Sequence, residues 1–346
     1  MLKKIKNKID KELAVYMGGI NRFYGLGRIS PVLFSCIKDF IKRKGKRVRP
    51  VLFVVGYLGF AKKEAPGLYK SAVAIEIFHD FMLVHDDIID KSQTRRGKPS
   101  MHAMLNRYLS GKGDIKFSGQ DLTIVAGDVM YALAINAFFS VKEEPYRKEK
   151  ALRRLIDAAV YTGSGEFVEL LCGIKNIDKI TKEDIYKIYD LKTANYTFSS
   201  PLSIGAILAG APLKEVNKLS QYGMYLGRAF QIKDDILGIF GEESYTGKSN
   251  LTDLREGKKT ILIWYAFHHT DKKEKLIIKS ILTKRNIVKS DLFKVQNILI
   301  NSGAINYAGK EIARLTEKSK ILLESSKMLT RYKKLLEAFS GGLFNL

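Results

Sequence analysis

The sequence predicts an all-α fold, a single helical domain running over residues 1–346. Three observations predict it. Apolar residues recur at helical spacing along nearly the whole chain, and no run alternates apolar and polar residues as a half-buried strand does. Apolar residues make up 46% of the 346, ample for a sizeable core and unlike the composition of a disordered chain. The prolines, Pro31, Pro50, Pro66, Pro99, Pro145, Pro201 and Pro212, lie far apart. An interior proline costs a helix about 3 kcal/mol, so this spacing leaves room for long helices.

In chain order, helices are expected over roughly 31–44, 48–60, 67–91, 121–140, 148–171, 182–210, 213–237, 257–269, 290–302 and 305–338. Pro31 opens the first of these, Pro66 and Pro145 precede 67–91 and 148–171, and Pro212 precedes 213–237. Pro50 falls in the first turn of 48–60, where the missing N–H is tolerated; only Pro201 lies well inside an expected helix. Glycine-rich punctuation at "SGKGD" (110–114) and "GIFGEESYTGKSN" (238–250) breaks the pattern between helices. No low-complexity linker divides the chain.

Several classes are set aside at this level. No stretch reaches the roughly 18 uninterrupted apolar residues of a membrane span. The opening "MLKKIKNKID" has basic residues with no apolar run behind them, unlike a secretory signal. Cys36 and Cys172 have apolar neighbours and no metal-type spacing, which reads as two core thiols in a reducing cytoplasm. The formal charge of +23 suits nucleic acid, an acidic membrane surface or phosphorylated substrates. Much of it is scattered, as in "TDKKEKLIIKSILTKRNIVKSD", a solvated helix face and loop.

The stretch "LVHDDIIDKSQTRRGKPSMH" (83–102) narrows the choice. On a helix, with Asp86 about −20° and Asp90 about 20° from His79, these three share one stripe and Asp87 stands beside it, at about 80°. Like charges at this spacing repel, and the preceding "AVAIEIFHDFMLV" reads as buried. A hard divalent cation such as magnesium, which takes carboxylate and phosphate oxygens, is the natural partner. A solvated acidic helix end is the competing reading. Arg95 and Arg96 favour the cation, because guanidinium forks grip the phosphate that such a metal would bridge.

A second carboxylate pair, Asp234 and Asp235 in "FQIKDD", also follows an apolar helical run. Basic residues stand at glycines and helix ends: Lys46, Arg47 and Arg49 in "KGKRVRP", Lys192 with Thr193 in "DLKTANYTF", and Lys248, Lys258 and Lys259 in "TGKSNLTDLREGKKT". Each alone reads as solvated surface. Together with two aspartate clusters they point to diphosphate.

These blocks, with "AGDVMYALA" and "GRAFQIKDDILG", occur in the order seen in trans-isoprenyl diphosphate synthases of the polyprenyl synthetase family, which the chain resembles from about Lys44 to Thr260. The resemblance implies the isoprenoid synthase fold, an all-α bundle around a deep central cavity, as a homodimer. It implies that Lys46, Arg49, His79 and Arg96 hold isopentenyl diphosphate. Asp86 and Asp90 would ligate magnesium, with Asp87 supporting and Asp234 contributing from the opposite side. Arg95, Lys192, Thr193, Gln231, Lys248 and Lys258 would surround the allylic diphosphate. Three departures stand out: Lys44 replaces the first glycine of the basic motif, Glu166 and Glu169 stand near a mid-chain glutamine of the family, and Gly238 replaces the last aspartate of the second acidic motif.

The implied reaction is magnesium-assisted ionisation of an allylic diphosphate (dimethylallyl, geranyl or farnesyl), attack by isopentenyl diphosphate and loss of a proton. Phe81 and Met82, just before the first motif, are the residues the resemblance ties to product length, and the expected product is geranylgeranyl diphosphate, as in archaeal members. A farnesyl or a longer-chain synthase is the alternative. A terpene cyclase needs no second phosphate site. A non-catalytic partner subunit of a heteromeric synthase tends to lose its aspartates, and a nucleic-acid binder has no use for buried acids.

Overall fold

The computed structural model describes residues 1–241 and 250–344. Nearly everything described is helical, so the fold is all-α apart from one two-residue-wide ribbon. The chain gathers into two compact units, residues 1–152 with 205–210, and 153–204 with 211–346.

The first unit begins with α1 (Leu2–Tyr24), whose lysine-rich sequence buries one stripe, Ile5, Ile9, Leu13, Met17 and Ile20. α2 (Pro31–Lys42) is capped by Ser30, whose hydroxyl accepts from the Leu33 N–H at 3.3 Å. α3 (Val48–Leu58) is almost wholly apolar, and α4 (Leu68–Ile89) buries an apolar body that also carries Glu76, Asp80 and Asp87. Strands β1 (Thr94–Arg95) and β2 (Lys98–Pro99) pair antiparallel around Arg96 and Gly97, at φ 54° and 72°. α5 (Met101–Leu109) follows, then α6 (Gly119–Phe138), which opens on a capping box between Ser118 and Asp121. α6 is long and apolar enough to cross a membrane, a feature that counting uninterrupted apolar runs had not shown. It buries Thr123, Ala126, Met130, Leu133 and Ala137 and packs along α4, where Gly127 leaves room for the His85 ring that a Cβ would meet at 2.2 Å.

The second unit takes α7 (Pro145–Ile174) from Arg153 onward and α8 (Lys182–Ile188), which widens into a π-helical run at Tyr189–Ser199 before α9 (Ser200–Leu208), of which residues 200–204 belong to this unit. The expected helix 182–210 is therefore three segments. Pro201 offers no N–H to the turn before it, and the wider winding re-pairs that stretch. α10 (Leu213–Phe240) lies against the π-helical run through glycines: a Cβ on Gly223 would meet Ser199 Cα at 2.5 Å, and one on Gly227 would meet Ala194 Cα at 2.4 Å.

α11 (Thr252–Arg255), α12 (Ile261–His268), α13 (Lys272–Thr283), α14 (Lys289–Asn301), α15 (Ala304–Glu324) and α16 (Thr330–Phe344) complete the unit. The expected 305–338 helix is thus two. The buried Glu215 carboxylate accepts from Ser326 Oγ at 2.9 Å and the Lys327 N–H at 2.6 Å, and so fixes the turn between them.

Candidate active site

In the first unit, the apolar body of α4 ends in the acidic motif. Asp86 and Asp90 are part-buried and present carboxylate oxygens within 4.8 Å of one another. Asp87 turns the other way. It is buried and accepts from Arg95 Nε at 2.6 Å, so it pins the arginine of the ribbon. Arg95 Nη2 also lies 3.5 Å from Asp86.

The basic motif meets the same helix about two to three turns earlier, at His79 and Glu76. Arg47 adopts a left-handed backbone, φ 53°, at the start of α3. It points inward, donating to Asp10 at 2.9 Å, to Glu76 at 2.5 Å and to the Arg43 carbonyl at 2.9 Å. Lys46 is exposed, and Arg49 Nη1 lies 3.1 Å from His79 Nε2. A guanidinium only donates, so His79 accepts there as a neutral ring. Burial, then the charges of Arg49 and Arg96, hold its imidazole well below the ordinary histidine range. Arg96 pairs with Asp80 at 3.2 Å and Glu76 at 3.5 Å. Gly45 packs its backbone on Arg96, 3.4 Å from a would-be Cβ to Cζ. Phe81 sits in an aromatic cluster, its centroid 5.2 Å from Tyr131 and 4.9 Å from His85, and Met82 beside it is part-buried.

In the second unit the π-helical run carries Lys192 and Thr193. Lys192 Nζ reaches Glu166 and Glu169, each at 2.5 Å. Thr193 donates to Gln231 Oε1 at 2.7 Å, and Gln231 Nε2 donates to Asp235 at 2.9 Å. Asp235 is buried and also accepts a hydrogen bond from the Tyr189 hydroxyl, while that hydroxyl accepts from the Ile261 N–H at 3.0 Å. Burial outweighs those bonds and pushes the Asp235 carboxyl well above the usual range. Asp234, its neighbour, is exposed. Lys258 pairs with Glu256 at 2.6 Å and Asp253 at 3.4 Å. Burial pulls its ammonium down, but Asp253, Glu169 and Glu256 hold it well above the ordinary lysine value. A Cβ on Gly238 would stand 2.1 Å from an Asp253 oxygen, so Asp253 occupies the space beside the glycine of the second acidic motif. Lys248 lies outside the described residues.

A model of the family described as polyprenyl synthetase matches residues 30–299. The chain belongs to the polyprenyl synthetase family. It is 35% identical over 268 residues to geranylgeranyl diphosphate synthase of Saccharolobus solfataricus, covering 76% of this chain and 75% of that protein. It is 33% identical over 288 residues to geranylfarnesyl diphosphate synthase of Aeropyrum pernix, covering 82% and 84%. The fold matches a crystal structure of geranylgeranyl pyrophosphate synthase from Corynebacterium glutamicum, complexed with isoprenyl diphosphate and magnesium, at TM-score 0.90 with 24% identity and 99% of each chain covered. The protein is a trans-isoprenyl diphosphate synthase, a prenyltransferase with the isoprenoid synthase fold.

Family members of this kind are magnesium enzymes, and the residues here suit that ion. Asp86 and Asp90 offer hard oxygen ligands, part-exposed and close together. Sequence reasoning brought out Asp86, Asp90, His79, Arg49, Arg96, Lys192, Thr193, Gln231 and Lys258, but not Glu76, Asp80, Tyr189 or Asp253. The signal for the first two was present: acids at positions one turn apart in the otherwise apolar "AVAIEIFHDF". Tyr189 and Asp253 act through tertiary packing that no spacing reveals.

Proposed function

We propose that this prenyltransferase condenses isopentenyl diphosphate with dimethylallyl, geranyl and farnesyl diphosphates, with geranylgeranyl diphosphate as its main product. The observation that carries the reading is the division of the first motif: Asp86 and Asp90 side by side, with Asp87 turned onto Arg95. Asp86, Asp90 and Asp234 would hold magnesium, which would supply Lewis-acid neutralisation of the allylic diphosphate.

Arg95, Lys192, Thr193, Gln231, Lys248 and Lys258 hold that diphosphate and receive the charge that develops as its C–O bond breaks, the bonding electrons leaving with the diphosphate. Glu166 and Glu169 hold the Lys192 ammonium until the substrate's oxygens replace them. Lys46, Arg49, His79 and Arg96 hold isopentenyl diphosphate, whose double bond attacks the allylic carbon. A proton then leaves the new cation for the departed diphosphate. Water has to be kept from the allylic cation, which it would otherwise convert to an alcohol.

Support for the product length comes from Phe81 in its aromatic cluster with the smaller-faced Met82 beside it, and from relatives named for twenty- and twenty-five-carbon products. Exposed Ile124 and Val125 on α6 support a homodimer, and the free Cys36 and Cys172 a cytoplasmic setting. One catalytic domain over residues 1–346 carries this activity.

The test is a kinetic split. Lys46→Ala and Arg49→Ala are expected to raise KM for isopentenyl diphosphate, and Lys192→Ala and Lys258→Ala to raise KM for the allylic primer. The reverse pattern overturns the assignment.

A further inference from the structure

α4 carries two acids inside its apolar stretch, Glu76 and Asp80, one helical turn apart and 1% and 0% exposed. The charges that act most strongly on Asp80 are Glu76 on its own helix, Arg96 from the ribbon, Arg47 from the start of α3 and Arg43 from the end of α2. Asp10 of α1 is spent on Arg47 and Lys6.

Glu76 Oε1 receives Arg47 at 2.5 Å and stands 3.5 Å from Arg96. Neither oxygen of Asp80 accepts a hydrogen bond from any described residue. Arg96 Nη1 comes within 3.2 Å of Oδ1 but is not aligned to donate, and Nη1 itself makes no hydrogen bond.

An ionised carboxylate needs several donors when it is taken out of water. Asp80 has none, and it has a second carboxylate one turn away. Two buried like charges at that distance do not both stay ionised, and the one without hydrogen bonds gives way. Burial, then Glu76, push the Asp80 carboxyl well above its usual range, against the opposing pull of Arg96, Arg47 and Arg43.

We propose that Asp80 is a positioning residue for Arg96 and acts as a neutral carboxylic acid, packing the guanidinium in place without cancelling its charge. With Asp80 neutral, Glu76 balances Arg47, and the charge of Arg96 remains for a ligand. With Asp80 ionised, the two acids would neutralise both arginines. Arg96 is already committed to this corner by its left-handed backbone, φ 54°, a conformation costly for a residue with a side chain. This inference rests on the assignment of Arg96 to isopentenyl diphosphate made above.

The test compares Asp80→Asn, Asp80→Leu and Arg96→Ala by steady-state kinetics on the full chain. Asp80→Asn keeps the shape and neutrality of the acid and is expected to raise KM for isopentenyl diphosphate at most about threefold. Asp80→Leu removes the polar contact and is expected to raise it about tenfold or more, with KM for the allylic primer and kcat moved far less. Equal losses in Asn and Leu would mean the anion is needed, and no loss in either would mean Asp80 positions nothing; both overturn the proposal. If Asp80→Leu does not fold, infrared difference spectra decide. A protonated-carboxyl carbonyl band present at neutral pH and abolished by Asp80→Asn supports the proposal, and its absence from the unsubstituted protein overturns it. Arg96→Ala separates the two layers: if it leaves KM for isopentenyl diphosphate unchanged, the site assignment itself fails, whatever Asp80 does.

Discussion

Asp86 and Asp87 are neighbours in sequence and opposites in environment. Asp86 faces outward beside Asp90, while Asp87 is buried on Arg95. Substitution to alanine should therefore fail in two different ways. Asp86→Ala and Asp90→Ala are expected to lower kcat by about 10²–10³, the scale of losing one group aimed at developing charge, with thermal unfolding little changed. Asp87→Ala takes from a largely buried guanidinium its buried partner and leaves it only the Asp86 contact at 3.5 Å, a loss of up to about 3–5 kcal/mol, so its melting temperature should fall clearly. If all three melt alike and lose activity alike, the division between them is wrong.

His79 allows a pH prediction at the same scale. Its folded-state pKa is depressed by burial and by Arg49 and Arg96, so below about pH 6.5 the unfolded chain binds a proton that the folded chain refuses. The unfolded state then holds more protons, and stability falls as pH drops from about 6.5 toward 5. His79→Gln should flatten that slope in chemical denaturation measured across this window; an unchanged slope would show that His79 is not the group responsible.

At the scale of elements, the glycines of α10 set where Lys192 and Thr193 stand. Gly227→Ala pushes a methyl into the backbone of the π-helical run, and overpacking of this kind costs about 1–3 kcal/mol. A lower melting temperature together with a raised KM for the allylic primer is expected; lowered stability with an unmoved KM would show that the run does not position that site. Gly238→Asp restores the acidic motif in sequence but not in space. Its side chain would run into the Asp253 carboxylate, so it should reduce activity, measured as kcat over KM at saturating magnesium.

This contrast marks what was legible beforehand. α2 to α4, α6, α7 and α10 were readable because prolines and apolar periodicity announce them, and the Asp86–Asp90 stripe follows from helical rotation alone. The π-helical run, the inward turn of Asp235 onto Tyr189 and the filling of the Gly238 position by Asp253 come from contacts between segments distant in sequence. α1 went unread because its buried stripe is diluted by lysines, and the ribbon because it rests on the left-handed backbones of Arg96 and Gly97 rather than on strand composition.

At the scale of the whole molecule, much of the formal charge of +23 is scattered over solvated helix faces and loops. Product length is a property at this scale, because a growing apolar tail gains about 0.8 kcal/mol per buried methylene until something blocks it. Phe81→Ala is expected to lengthen the products seen by chromatography and Met82→Phe to shorten them; unchanged products from both would place the stop on another helix. The central claim, that this chain alone joins isopentenyl units to allylic diphosphates, is tested most directly by incubating the purified protein with magnesium, labelled isopentenyl diphosphate and dimethylallyl diphosphate, and separating the products. Label moving mainly into geranylgeranyl diphosphate, and staying in isopentenyl diphosphate with Asp86→Ala or with chelator, is the predicted result. No condensation by the isolated chain, or condensation indifferent to Asp86 and to chelator, would contradict it.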